Sequence, residues 1–102
     1  MTKYEIFKNE ITFPIREKNK IKLGCTLLSD NQFPEKLEEY IDLDSAKKEL
    51  SKYVSSIEQE GTTTGTRYRV TEYYIEENTY NEDGEWISGG DIWGFSKFPG
   101  IA

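Results

Sequence analysis

A stretch near the end of the chain, residues 66–98, constrains the fold most strongly. It contains both tryptophans and four of the seven tyrosines, together with the tetrapeptide Asn81-Glu82-Asp83-Gly84. An Asp-Gly pair between apolar runs is a strong hairpin signal, because glycine adopts a positive φ without a steric penalty. The stretch therefore predicts a β-hairpin in which Tyr80 opposes Glu85 and Val70 comes near Phe95. A bulge at Gly89-Gly90 would shift the far pairs by one.

The first arm of this hairpin has apolar side chains on both of its faces. The even-numbered positions hold Tyr68, Val70, Tyr74 and Tyr80, and the odd-numbered positions hold Tyr73 and Ile75. Side chains alternate between the two faces of a strand. The arm is therefore either covered on both faces or bulged near Glu72.

The N-terminal part of the chain predicts a second, shorter hairpin. Residues 3–13 favour a strand with a break near Lys8-Asn9, ended by Pro14, and residues 21–28 alternate as a partner strand. The basic residues between them predict an exposed turn, and residues 29–34 a loop. Residues 35–43 fit either a helical turn that begins with Pro34 or a short strand around residues 40–43.

A single apolar stripe predicts the main helix. Its members fall at the spacing i, i+4, i+7, i+8, i+11 and are Ala46, Leu50, Tyr53, Val54 and Ile57. We expect a helix over about residues 45–59 with Asp44 as its N-cap, a flexible loop over about 61–66, and a short tail over 99–102. The fold class is then α+β: one small domain over residues 1–102, with a mainly antiparallel sheet built from the two hairpins and the helix packed on one face.

Charge and composition exclude several functional classes. The net charge is −6 over 102 residues, which argues against a direct nucleic-acid binder because phosphate neutralisation needs a basic surface. The chain has one cysteine and no histidine, so it cannot form an intramolecular disulfide and lacks both the usual metal-ligand spacings and the commonest general base. We expect no catalytic, metal-binding or cofactor-binding residues, no enzymatic activity, and Cys25 as a buried small hydrophobe.

Location is predicted from two further absences. No apolar run approaches the roughly 18 residues of a membrane span, and the first residues show no apolar leader segment. With a single cysteine, these features favour a cytoplasmic protein without membrane contact.

Without histidine, any catalysis would have to use carboxylates, lysine, tyrosine or Cys25, and carboxylates are abundant. Glu72, Glu76, Glu77 and Asp91 could approach one another across the predicted hairpin, as in an acid and base pair. A solvated strand face explains them better, because no sugar- or phosphate-handling motif accompanies them.

The function predicted best is a non-enzymatic, acidic protein-interaction module, such as an inhibitor or accessory factor encoded on a phage or plasmid. Its partner would be a protein with a basic surface, and the contact would lie at the turn end of the C-terminal hairpin. The predicted contact residues are Glu76, Glu77, Tyr80, Glu82, Asp83, Glu85 and Trp86. Two alternatives remain: a small-ligand site, for example for carbohydrate, or a carboxylate-based enzyme; and a homo-oligomer paired through a strand edge. A concave pocket holding a tryptophan beside carboxylates would favour the ligand site.

Overall fold

The long strand β4 (Gly65–Tyr80) lies at the centre of a five-stranded antiparallel sheet. These bounds come from a computed structural model that describes residues 1–28 and 33–97. β1 (Thr2–Pro14) pairs with β4 along its whole length, from Thr2 opposite Thr79 to Pro14 opposite Arg67. The centre of the sheet is therefore formed by the two strands most distant in sequence.

Three shorter strands complete the sheet at its edges. β2 (Glu35–Tyr40) pairs with the outer edge of β1. The other edge of β4 is divided: β3 (Ser56–Thr62) pairs with its first half and β5 (Trp86–Phe95) with its second half. The predicted C-terminal hairpin is thus present as β4 and β5. The sheet and one main helix, α1 (Leu43–Leu50), confirm the mainly antiparallel architecture.

Alternation along the central strands gives the sheet two differently covered faces. The first face carries the odd-numbered residues of β1 and the even-numbered residues of β4, and the second face carries the others. On the second face α1 buries a core of Ile6, Ala46, Leu50 and Ile75. On the first face, at the other end of the sheet, the segment after β1 buries a core of Phe13, Ile21, Cys25 and Val70. β4 is therefore covered on both faces and is not bulged near Glu72.

The helix is shorter than its apolar stripe predicted. It ends at Leu50, and its N-cap is Asp42, whose carboxylate accepts from the Ser45 amide at 2.8 Å, so the prediction of Asp44 was wrong. Ile57 instead lies in β3 opposite Val70. The first half of β4 needs a partner on this edge, and the backbone hydrogen bonds of β3 outweigh a helical spacing that is compatible with either structure.

The predicted N-terminal hairpin was wrong. Residues 25–28 form a short 3-10 helix, and β1 pairs with β2 and β4 instead. The carboxylate of Glu72 organises this segment: it accepts from the Gly24 amide at 2.7 Å and from the Thr26 amide at 2.9 Å. Two backbone donors that a strand would have paired are thereby satisfied by one buried side chain. Cys25 is buried there, as predicted, and burial raises the pKa of its thiol to about 11.

The remaining predictions have mixed outcomes. A strand is present in residues 35–43, but it covers Glu35–Tyr40 rather than residues 40–43, and Leu43 already begins α1. Most of the predicted loop at residues 61–66 belongs to the β3–β4 ladder, where Gly61 opposes Thr66 and Thr62 opposes Gly65. β1 is continuous against β4, and its irregularity lies between Ile6 and Phe7 in the pairing with β2. Residues 29–32 of the predicted loop, and the tail at 99–102, lie outside the described residues.

Candidate functional site

The turn between β4 and β5 is organised by one side chain, that of Asn81. Its carbonyl oxygen accepts from the Asp83 amide at 3.0 Å and from the Glu85 amide at 2.9 Å. Its backbone accepts from the Gly84 amide and donates to the Glu85 carbonyl. Gly84 has a φ of +79°, as the predicted turn requires. The turn is therefore held by hydrogen bonds among its own residues, and it fixes the register of the strands on either side.

That register differs from the predicted one. Tyr80 opposes Trp86 rather than Glu85, and Phe95 opposes Tyr74 rather than Val70. The predicted bulge is present, since Asp91 opposes Glu77 while Gly89 opposes Asn78, which leaves Gly90 unpaired. Two further irregularities shift the far pairs again, and bulges of this kind cannot be counted from composition alone.

Asn78 connects the turn end to the interior of the sheet. Its amide group donates to Glu5 Oε1 at 2.8 Å and to Glu76 Oε1 at 3.1 Å, and its oxygen accepts from Trp86 Nε1 at 2.8 Å. Asn78 is 3% exposed, whereas Trp86 is 58% exposed. An exposed indole ring is thus held in one orientation by a buried amide.

Glu5 anchors this network from β1. It is 1% exposed, and its Oε1 accepts from the Tyr80 hydroxyl at 2.6 Å in addition to Asn78. Its other oxygen lies 3.3 Å from Lys36 Nζ. A buried carboxylate is tolerated only when it is paired and hydrogen-bonded, and these three neighbours meet that condition. Burial, and then the hydrogen bond to Glu5, raise the pKa of Tyr80 to about 12.

The carboxylates of the turn itself are exposed. Glu82, Asp83 and Glu85 form no ion pair with any described residue. In the sequence from Val70 to Ser96 there are seven carboxylates and no lysine or arginine. Three cations lie beside this end of the sheet: the Met1 ammonium, which donates to the Tyr80 carbonyl at 2.6 Å, and Lys3 and Lys36, which both pair with Glu39. Lys3 also lies over the Tyr80 ring, with Nζ 5.5 Å from the centroid.

The structure brings together some of the predicted contact residues and separates others. Glu76, Tyr80 and Trp86 share the first face and are linked through Asn78 and Glu5, and the three turn carboxylates lie beyond them. Glu77 points to the second face, where it accepts from Tyr4 Oη and Trp93 Nε1. It supports the sheet rather than the turn end.

Sequence reasoning missed Glu5 and Asn78. Only a weak signal was present: both are polar residues on the strand faces that carry Phe7 and Tyr74, but Asn9, Glu72 and Glu76 lie on the same faces. A polar side chain at a strand position that faces the interior is expected to be hydrogen-bonded there.

The four carboxylates considered for acid and base chemistry do not converge. Glu72 is buried against backbone amides on the first face, and Glu76 bonds to Asn78. Glu77 lies opposite Asp91 on the second face. Among residues 1–28 and 33–97 no group of three metal-ligating side chains could hold an ion. None of the helices in the same part of the chain has the length and apolar character that a membrane span requires.

Comparison of the chain with protein-family models, with curated proteins and with solved structures found no match.

Proposed function

We propose that the protein is a non-enzymatic interaction module that docks the turn end of β4 and β5 onto a basic surface of another protein. The observation that carries the proposal is the orientation of Trp86. Its ring is more than half exposed, yet its N–H group is already bonded to the buried Asn78. A tryptophan fixed in this way loses little conformational freedom on binding, and tryptophan is enriched among residues that dominate interface energies.

Charge supports the choice of partner. Glu82, Asp83 and Glu85 lie in the turn just before Trp86, are exposed, and form no ion pair with any described residue. Lysine and arginine side chains of a partner could pair with these carboxylates, and a cation could also lie over the indole face. Since Trp86 supplies apolar contact and the turn supplies charge, the surface combines an anchor with electrostatic steering.

Such a module acts by occupying the partner's basic surface. An inhibitor or accessory factor of the kind encoded by phages and plasmids would work in this way, with the acidic turn where a phosphate chain or an acidic protein otherwise binds. The single cysteine suits a cytoplasmic partner, because it cannot form an intramolecular disulfide.

The test compares two variants with the same net charge. In the first, Glu82→Gln, Asp83→Asn and Glu85→Gln neutralise the turn. In the matched control, Glu35→Gln, Asp44→Asn and Glu58→Gln neutralise three exposed carboxylates elsewhere. Each bait is used to capture proteins from a lysate of the source cells at low salt, and the affinity of the captured protein is then measured in purified form.

We expect the captured protein to carry a basic surface and to bind the turn variant roughly tenfold more weakly, at about 0.2–1 kcal/mol per exposed charge pair. The control variant should bind like the wild type, and added salt should weaken binding. Equal losses in both variants, a partner without a basic surface, or no captured protein would each contradict the proposal.

A further inference from the structure

A second concave surface lies on the other side of β5, between its last residues and the end of α1. We call it the α1–β5 groove. Its apolar walls come from Leu50, Val54, Trp93 and Phe95, and Lys47 and Lys97 also line it. Its volume is about 460 Å³, within the roughly 300–1,000 Å³ of pockets that bind small molecules. The groove shares no lining residue with the turn end.

The base of the groove is fixed by hydrogen bonds. After α1 the chain runs beside the end of β5, where the Ser55 amide donates to the Lys97 carbonyl at 2.9 Å. The buried hydroxyls of Ser55 and Ser96 lie 2.6 Å apart. The indole of Trp93 donates to Glu77 Oε2 at 3.0 Å, which holds the ring in place. The groove is therefore formed before any ligand arrives.

Its walls present apolar surface that no described residue covers. Val54 is 63% exposed and Trp93 is 46% exposed. Burying such surface is favourable by about 25 cal/mol per Å² of apolar area. An occupant would therefore present an apolar body to Val54 and Trp93.

The charge of the groove is opposite to that of the chain as a whole. Lys47 and Lys97 line it, and no carboxylate does so among the described residues. Neither lysine forms an ion pair with a described residue, although the chain carries a net charge of −6. Glu77 contacts Trp93 but does not line the groove. Two unpaired ammonium groups beside an apolar wall favour an anion.

We propose that the α1–β5 groove binds a small amphipathic anion, with a hydrocarbon or aromatic body against Val54 and Trp93 and a carboxylate near Lys47 and Lys97. This changes the ligand class expected from sequence. A tryptophan beside carboxylates would have suited carbohydrate, whereas here the tryptophan lies beside lysines. The inference is independent of the proposed partner surface, because the two sites have different residues and opposite charge.

The test uses the two indole N–H resonances of the wild-type protein, one from each tryptophan, assigned with Trp86→Phe. The probes are octanoate, octanol and octyltrimethylammonium, which share one hydrocarbon chain and differ in charge. Octanoate should shift the Trp93 resonance saturably and leave that of Trp86 unchanged. Octanol should bind more weakly, and the cationic probe should not saturate.

Variants separate charge from apolar contact. Lys47→Gln with Lys97→Gln should weaken octanoate binding roughly fivefold or more, since exposed pairs contribute about 0.2–1 kcal/mol each. The matched control, Lys22→Gln with Lys48→Gln, removes two exposed lysines outside the groove and should leave binding unchanged. Val54→Asp places a carboxylate on the wall and should abolish binding.

Four results would overturn the inference: no saturable shift of Trp93, equal binding of octanol and octanoate, equal losses in the two lysine variants, or a Trp93 shift that depends on protein concentration without any probe. The last result would identify a second copy of the chain as the occupant.

Discussion

At the scale of single residues, the structure depends on polar side chains at strand positions that face the interior. Glu5 and Asn78 sit side by side on the first face, and Glu72 lies further along the same face. Each accepts or donates hydrogen bonds that join segments far apart in sequence, such as Asn78 to Glu5 across 73 residues. A buried polar group is stable only while its partners remain, so these positions should tolerate little change.

Replacing Asn78 with Asp tests this dependence. The substitution keeps an acceptor for Trp86 but replaces the amide donor with a third carboxylate beside Glu5 and Glu76. An unpaired buried charge costs roughly 3 kcal/mol or more, so the free energy of unfolding in urea should fall by at least that amount at neutral pH. Ser88→Asp, which adds the same charge on the exposed strand β5, is the control, and equal small effects at both positions would contradict the buried network.

Three tyrosine hydroxyl groups should ionise at a higher pH than an ordinary tyrosine. Burial or a neighbouring glutamate raises the pKa of Tyr53, Tyr74 and Tyr80 to about 12. Because each pKa is higher than the value of about 10 expected in the unfolded chain, the folded state holds these protons more tightly. Their contribution to stability is complete below about pH 10 and is lost as the pH rises toward 12. Phenolate absorbance should show a late group of tyrosines that ionise together with unfolding. Ionisation of all seven near pH 10 in the folded protein would contradict the assignment.

At the scale of elements, β5 is an edge strand shaped by its irregularities. Its outer edge has no strand partner among the described residues, and its pairing with β4 shifts three times. Bulges of this kind blunt an edge and disfavour the addition of another strand. Gly89 is the tightest point, because a Cβ there would lie 2.3 Å from the Glu77 carbonyl oxygen and 2.7 Å from Asn78 Cα.

Alanine at Gly89 should therefore be much more damaging than alanine at Gly90. Both glycines have a positive φ, of +133° and +96°, so each substitution carries a backbone cost of about 1–2 kcal/mol. At Gly90 nothing lies within 4 Å of the added carbon, whereas at Gly89 β5 must move away from β4. In urea, the free energy of unfolding should fall much more for Gly89→Ala than for Gly90→Ala. Similar losses for the two variants would contradict the close approach of Gly89 to β4.

The sequence predicted local features well and long-range pairing poorly. Turn chemistry at Asn81 and Gly84 and the bulge at Gly89-Gly90 depend on neighbours within a few residues, and both are present. The two-sided burial of β4 is also present, although the segments that cover its faces are distant in sequence. The end of α1 could not be predicted, because the spacing of Tyr53 and Ile57 fits a helix until β4 requires a strand on its edge. For the candidate site, Trp86 and the turn carboxylates were identified, but Glu5 and Asn78 were not, since their contact depends on the pairing of β1 with β4.

At the scale of the whole molecule, the sheet has two small cores on opposite faces at opposite ends, and the protein is correspondingly elongated. The described residues extend 50 × 26 × 18 Å, with a Cα radius of gyration of 15.3 Å. A compact chain of this length would have a radius of about 13 Å. The turn end and its exposed tryptophan lie at one end of the long central ribbon of β1 and β4.

Small-angle X-ray scattering should find a monomer with a maximum dimension near 50 Å. The bulged edge of β5 presents no regular ladder to a second copy, so association through a strand edge would have to use β2 or β3. Measurements at two protein concentrations separate shape from association. A radius near 13 Å would contradict the elongated sheet, and a mass that doubles with concentration would support the homo-oligomer instead.

The most direct test of docking through the turn end is to locate the residues at which a partner contacts the chain. A photo-crosslinking amino acid is placed at Trp86 and, as a matched control, at Ile15, an apolar residue that is 49% exposed and follows Pro14 at the opposite end of the β1–β4 ribbon. After irradiation with the captured partner, the Trp86 position should give a crosslink to a lysine- or arginine-rich surface and the Ile15 position should give none. A crosslink from Ile15 alone, or from both positions equally, would contradict docking through the turn end.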